Sequence, residues 1–392
     1  MKKSIKKIVN IWNDMDKPLL YVTICFFMIG LLAIVSASSR EAVVRYGATL
    51  YHYFFKQLAA LTLGLFAFIF IIRIDSKKYK FWGPCAYFFV IISLIYVFFW
   101  GEEINGAKNW ITLPGIGSLQ PGELAKPAII IMISILFERF YKVLREPKEK
   151  KEHYKIFLLI LGIILLPIIF VFLGKDLGTV IILVSIFVIL FLASPFLRLT
   201  KLKMIALTIG LGVVGLLGIY FVKGYILTDA QLARFNFINP CSNYEKGGYQ
   251  VCNGFIAIND GGLFGLGIGK SKQKYSYLSE PHTDSIFAII SEELGFLRCS
   301  ILFLLYIIVL LRILSISAKA STIQGRYMCL GVASYLFLHI FLNLGGIFGS
   351  IPLTGVPLPF LSYGGSSAIT TMISLALVQR VAIETKRKKI NI

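Results

Sequence analysis

Charge is scarce in this chain: Asp, Glu, Lys and Arg make up 15% of 392 residues, against about a quarter in an ordinary soluble domain. Acids are the scarcer sign, 20 against 40 Lys and Arg. With 57% hydrophobic residues and a mean hydropathy of +0.78, the shortage excludes a water-soluble fold. Histidine is rare as well, at 4 residues, and no Cys/His/Asp cluster has ligand spacing, so a zinc site is not supported. The chain has no internal repeat, no low-complexity tract and no soluble domain. It also lacks the Gly-rich phosphate loop of a nucleotide-binding protein, since Gly269-Lys270-Ser271 stands alone without the required spacing.

What is there is apolar sequence in windows near twenty residues, the length that crosses a hydrocarbon core of about 30 Å. Ten windows stand out, at 18–37, 53–72, 84–100, 121–137, 156–173, 177–195, 204–222, 284–311, 329–348 and 366–383. They predict an all-α, polytopic membrane protein of about ten transmembrane helices forming a single domain over 1–392. Basic residues are expected in excess on the cytoplasmic side. Placing 1–17, 73–80, 138–155, 198–203, 312–326 and 380–389 inside collects 27 of the 40 Lys and Arg. Both termini are then cytoplasmic, including the tail 1–17 and the basic tail 384–392, and the formal charge of +20 reflects this bias. Charges dispersed over short loops do not make a nucleic-acid surface. Lys2, Lys3, Lys6 and Lys7 before an apolar stretch resemble a signal peptide, but that stretch is too long for one, and a retained helix is expected.

Three loops then face outward: 101–120, 223–283 and 349–365. At roughly sixty residues, 223–283 is far longer than a connector needs to be. Its Gly-rich but apolar part, Gly248 to Gly267, suits a re-entrant or interfacial segment buried against the bundle. Cys241 and Cys252 share this loop; if the outside is oxidising they can form a disulfide, the alternative being two free thiols. The loop ends in Pro281-His282-Thr283-Asp284, just before an apolar run carrying Glu292 and Glu293. Carboxylates in and beside a membrane helix are costly and mark candidate functional sites. Asp284 or Thr283 also reads as a helix N-cap. Glu292 lies about 12 Å deeper along a helix and Glu293 about 100° around it, so neither is the same group as Asp284; tying helices together is the expected role of both, and of Asp176 at the head of the sixth window, with polarising the cavity the alternative. His282 is a candidate second acid/base. Pro357 and Pro359 predict a rigid entry to a re-entrant turn at Ser362-Tyr363-Gly364-Gly365-Ser366.

Several blocks, in order along nearly the whole chain, carry a family resemblance. Asn109-Trp110-Ile111, Gln120-Pro121-Gly122-Glu123-Leu124-Ala125-Lys126, Asp176-Leu177-Gly178-Thr179, Pro281-His282-Thr283-Asp284, Glu292-Glu293-Leu294-Gly295 and Pro357-Leu358-Pro359-Phe360-Leu361-Ser362-Tyr363-Gly364-Gly365-Ser366-Ser367 resemble the SEDS family of FtsW and RodA. The resemblance implies ten membrane helices and a peptidoglycan glycosyltransferase that polymerises lipid II, an undecaprenyl-diphosphate-linked disaccharide peptide, at the outer membrane face. Asp284 corresponds to the acid the family is thought to use as base. Glu123 and Lys126 match an acid and a lysine of a central cavity, where Lys126 would meet the leaving diphosphate and Glu123 would orient it; a structural ion pair is the alternative. Arg234 and Ser362 join them as candidate substrate-binding residues, and Lys270, Lys272 and Lys274 are further outer cations that are more simply solvated. Tyr249 to Gly254 and Pro352 to Pro357 look more like division-type FtsW, which implies septal synthesis; a RodA-like elongation role and a lipid II flippase are the alternatives. The implied partners are a single-pass class B penicillin-binding protein, which would supply the transpeptidase, and divisome or elongasome proteins. No cofactor is evident, and a divalent cation requirement is left open. Gly122 stands where serine is usual, Lys175 and Ser279 where proline is common, and Arg298 where glycine is usual; the arginine must find a partner or snorkel.

Overall fold

The protein is described from a computed structural model, which covers residues 11–104, 107–113, 117–146, 150–224, 232, 237, 239–242, 244, 248–275, 278 and 280–390. Arg234, Ser279, the lysines of 1–10 and residues 391–392 lie outside the described residues. The long helices are α1 (Lys17–Tyr46), α2 (His52–Arg73), α3 (Tyr79–Trp100), α4 (Pro121–Arg139), α6 (Lys150–Leu173), α7 (Leu177–Ala193), α8 (Arg198–Lys223), α10 (Ile286–Lys319), α11 (Ile323–Ile347) and α12 (Gly365–Ile390). Two shorter ones are α5 (Tyr141–Arg145) and α9 (Tyr249–Gly261). Each predicted window falls on one of the long helices. Seven helices among the described residues are long and apolar enough to cross a membrane, and the remaining windows coincide with α4, α7 and α8.

Local chemistry sets the helix starts. Asp16 caps α1 by accepting from Leu19 N, with Pro18 in the first turn, and Thr322 caps α11 by accepting from Gly325 N. α11 and α12 have 78% of their most apolar window buried, against 28–39% for the other five spanning helices. They are therefore the centre of the bundle. α12 packs along α2, and α11 packs on α4, α7 and α10. The apolar faces of α1, α2, α3 and α8 stay outward, with Phe66, Phe89, Ile92 and Phe221 exposed, as lipid-facing helices require.

One end of the bundle carries both terminal segments, joined by Arg387 Nε to Asp14 Oδ2 at 2.7 Å and by Gln379 Nε2 donating to Asp16 O at 3.0 Å, and Arg312 of α10 pairs with Asp16 at 2.8 Å. Thirty residues of α1 at about 1.5 Å each separate that end from the other, where the candidate site lies. There, 101–120 is more than a loop. Glu102–Ile104, Ala107–Leu113 and Gly117–Leu119 form an antiparallel sheet, β1-β2-β3, with Ile111 opposite Leu119 and Glu102 opposite Trp110. The run Trp110-Ile111-Thr112-Leu113 has the β-branched and aromatic character that strands favour. Lys108 N donates to Gly174 O at 3.0 Å, docking the sheet on the α6–α7 turn.

α10 is not one continuous helix. Gly295 has φ 76° and ψ 174°, breaking it after Leu294. The chain after α9 fills the break: Leu266 N and Gly267 N donate to Glu292 O and Glu293 O, while Phe296 N and Leu297 N donate to Gly262 O and Leu263 O. Backbone groups freed in an apolar setting are thereby satisfied. A Cβ on Gly295 would lie 2.3 Å from Gly265 N, and one on Gly265 2.2 Å from Glu293 O, so this crossing needs glycine on both sides. Arg298 finds its partners here, Nη1 donating to Phe264 O at 2.6 Å and Leu294 O at 3.2 Å. α9 itself packs on α10, approaching so closely that a Cβ on Gly261 would lie 2.2 Å from Ser291 O.

Candidate active site

Four segments meet at the sheet-bearing end around a polar cavity of about 480 Å³. They are β2–β3, the α6–α7 turn, the turn 280–284 before α10, and the strap 354–367 before α12. Glu41, Tyr53 and Lys56, from the α1–α2 corner, complete the lining. Lys175 and Glu280 adopt φ of 64° and 53°, values that non-glycine residues rarely take and that recur at functional sites.

Asp284 opens into this cavity from the turn, and its surroundings hold it tightly. Asn343 Nδ2 donates to Asp284 O and to Val356 O, both at 2.8 Å, clamping the turn to the strap. Ser362 Oγ donates to Thr283 O and accepts from Leu358 N; Tyr363 N donates to His282 O at 2.8 Å. The carboxyl accepts long side-chain bonds from Gln250 Nε2 and Thr283 Oγ1, at 3.3 Å each. Desolvation is the larger influence and Glu280 adds repulsion, so the carboxyl is pushed up to about 6 despite those hydrogen bonds. Near neutral pH such a group is ionised yet basic enough to take a proton.

His282 shares the wall. Its Nδ1 lies 3.1 Å from Glu41 Oε2, and its ring packs against Tyr53 and Tyr363 at centroid distances of 4.3 and 5.4 Å. Asp176 also lines the cavity, but its carboxylate is fully engaged. It accepts from Asn109 Nδ2, Gln120 Nε2, Thr179 N and Thr179 Oγ1 at 2.7–3.0 Å. That network caps α7 and ties the sheet to α4.

The other sequence-derived candidates are set apart. Lys126 and Glu123 do not line the cavity. Lys126 is wholly buried, with Nζ 2.5 Å from Glu123 Oε1 and 2.8 Å from His339 Nε2. His339 Nδ1 lies 3.1 Å from Pro357 O. A carbonyl only accepts, so the ring proton sits on Nδ1 and Nε2 accepts from the ammonium. Lys126 thus reaches the strap through His339 rather than reaching the cavity. Ser362 is likewise absent from the lining and serves the backbone of Thr283.

Glu292 and Glu293, just before the α10 break, hold the 271–274 segment that follows α9. Glu292 accepts from Ser271 Oγ and Lys272 N at 2.5 and 2.7 Å, and Glu293 accepts from Ser36 Oγ and the buried Lys274 at 2.5 and 3.3 Å. Cys241 and Cys252 are disulfide-bonded, fixing the loop to α9; closing so short a loop stabilises by about 3 kcal/mol on chain-entropy grounds. Among the described residues no group of three or more His, Cys, Asp or Glu side chains could hold a metal ion.

Glu41, Tyr53, Lys56, Thr354 and Glu280 join the cavity without having been singled out from sequence. Glu280 carried the clearest signal, an acid four residues before Asp284 in an acid-poor chain. Glu41 and Lys56 are ordinary-looking charges at a helix corner, and only the fold recruits them.

The fold and site define a polytopic helical membrane protein whose sheet-bearing end holds an acidic, polar cavity next to a broken helix. The chain belongs to the FtsW, RodA and SpoVE family of cell cycle proteins, whose pattern it matches over residues 17–387. It is 32% identical over 399 residues to the probable peptidoglycan glycosyltransferase FtsW of Bacillus subtilis (strain 168), covering 95% of this chain and 93% of that protein. It is 30% identical over 380 residues to the peptidoglycan glycosyltransferase MrdB of Escherichia coli (strain K12), covering 96% and 95%. Its fold is similar to a chain solved in a peptidoglycan synthase complex that coordinates polymerization and crosslinking, with a TM-score of 0.71 at 23% identity over 95% of this chain and 98% of that one.

Proposed function

We propose that this protein is a peptidoglycan glycosyltransferase that joins lipid II units into glycan strands at the outer membrane face, in the manner of FtsW. The observation that carries the reading is Asp284, a carboxyl raised to about 6 at the mouth of a spanning helix, inside a cavity large enough for sugar groups. Asp284 takes the proton from an acceptor sugar hydroxyl as its oxygen attacks the anomeric carbon of a second lipid-linked sugar. The new C–O bond forms as the bond to the diphosphate breaks; undecaprenyl diphosphate leaves with the electron pair and the centre inverts. Lys56 and Lys175, on the cavity wall, are the cations closest at hand for the charge that develops on the leaving group.

Lys126 and Glu123 act as positioning residues, holding the strap through His339. Asn343 and Ser362 do the same for the backbone on either side of Asp284. Both termini are cytoplasmic in this reading, which puts the cavity outside.

The glycan made here is uncrosslinked. A class B penicillin-binding protein would supply the transpeptidase. Phe296, Ile301 and Leu304 on α10 and Phe337 and Phe341 on α11 are exposed apolar residues against which its membrane helix would pack, within a division complex at the septum.

The test is incubation of the purified protein with lipid II, with and without such a partner, followed by separation of the products. Glycan polymer supports the polymerase. Absence of polymer together with lipid II translocation in sealed vesicles would replace it with a flippase.

A further inference from the structure

The opposite end of the bundle carries a second cavity, of about 350 Å³, between the start of α1 and the ends of α10 and α12. Its lining is strongly basic: Lys17, Arg312, Lys319, Lys386 and Lys389 against Asp14 and Asp16. Both acids are already used. Asp16 accepts from Arg312 Nε at 2.9 and 3.0 Å while capping α1, and Asp14 takes Arg387 and Lys386 at 2.7 and 4.0 Å. Lys17, Lys319 and Lys389 have no carboxylate partner among the described residues. Lys17 Nζ is buried without a hydrogen-bond partner, resting 3.7 Å over the Trp12 ring. An ammonium without a hydrogen-bond acceptor, set among other cations, is suited to an anionic acceptor.

Adjoining it is an apolar groove of about 350 Å³ between α1, α2 and α12, lined by Trp12, Leu20, Phe27, Phe68 and Leu375. Met15 belongs to the wall of both. A charged recess beside a greasy slot at a helix end matches an amphiphile whose head is anionic and whose tail is a hydrocarbon chain.

We propose that the basic cavity binds the phosphate of an anionic phospholipid headgroup from the cytoplasmic leaflet, with an acyl chain lying along the apolar groove. The leaflet rests on the cytoplasmic placement of the termini; the chemistry rests on the cavity alone. Basic recesses between helices at the cytoplasmic surface are suited to such headgroups. The bound lipid would add a bridge between α1, α10 and α12 beside the contacts that Asp14, Asp16 and Gln379 already make there.

The experiment uses the full chain in detergent, titrated with phosphatidylglycerol, with phosphatidylcholine of the same acyl chains, and with inorganic phosphate, read by native mass spectrometry and thermal unfolding. Phosphatidylglycerol should be retained and should raise the unfolding temperature. K17Q/K319Q should weaken its binding by roughly 25-fold, about fivefold per lysine near a membrane surface. These lysines hold no carboxylate, so the unliganded variant should unfold like the parent. K77Q/K78Q, on exposed basic residues outside the cavity, should bind as the parent does. Equal retention of phosphatidylcholine, equal stabilisation by inorganic phosphate, or unchanged affinity in K17Q/K319Q would overturn the proposal. None of these readouts depends on glycan synthesis, so failure here leaves the polymerase reading untouched, and the reverse.

Discussion

The raised carboxyl of Asp284 makes the pH dependence of turnover a sharp prediction. Its ionised form is the base, and its midpoint is set at about 6 by desolvation first and Glu280 second. Between pH 7 and pH 5 the ionised fraction of such a group falls from roughly 90% to roughly 10%, a ninefold loss of rate; an ordinary Asp, near 3.9, would lose less than about a tenth. The perturbation that isolates the cause is Glu280→Gln, which removes the repulsion and must move the midpoint down. Because His282 shares the wall, His282→Gln is the necessary companion, and it should leave the midpoint in place even if the rate drops. The assay is initial rate of glycan formation from lipid II by purified protein in a constant-ionic-strength buffer series. Flat activity down to pH 4.5, or a midpoint that vanishes in His282→Gln and persists in Glu280→Gln, would refute the assignment.

Three further outcomes follow from the same geometry. A carboxyl whose folded value of about 6 exceeds its unfolded value destabilises the fold fully above pH 6 and not at all below about pH 4. Asp284→Asn should therefore raise stability at pH 7.5, by at most about 3 kcal/mol and less where cavity water screens the charge, with no gain at pH 4; thermal unfolding at the two pH values checks it. Lys126→Ala and Glu123→Ala each strand a buried charge and should cost on the order of 3–5 kcal/mol, while the double variant should cost less than their sum, and strict additivity would dissolve the pair. Adding the cognate class B penicillin-binding protein at fixed enzyme should raise glycan formation as it binds, and a flat response despite complex formation would leave that partner a crosslinker only.

Much of this arrangement was legible in the sequence because membranes impose simple rules. Apolar windows located the helices, and Asp284 stood out as an acid at a helix mouth in a chain with few acids. Glu292 and Glu293 were expected to tie helices together or polarise the cavity; the structure has them binding the non-helical 271–274 segment. Less could be read wherever distant backbone decides the outcome. The break in α10 depends on Gly295 meeting Gly265 across a loop, which no helical periodicity displays. Lys126 read as a cavity cation through the family resemblance, while its spacing from Glu123 gave only the pair and not the side the ammonium faces. His339, sealed in α11, turned that pair toward the strap. The 101–120 segment read as a loop because its strands are short and its pairing is with itself.

The central claim is that Asp284 is the base of a polymerase, and the most direct test compares three forms of the purified protein with lipid II and partner at pH 7.5. The parent should make glycan strands, Asp284→Asn should make none while keeping membrane insertion and partner binding, and Asp284→Glu should retain a reduced rate. Strands of normal length and yield from Asp284→Asn would contradict the account.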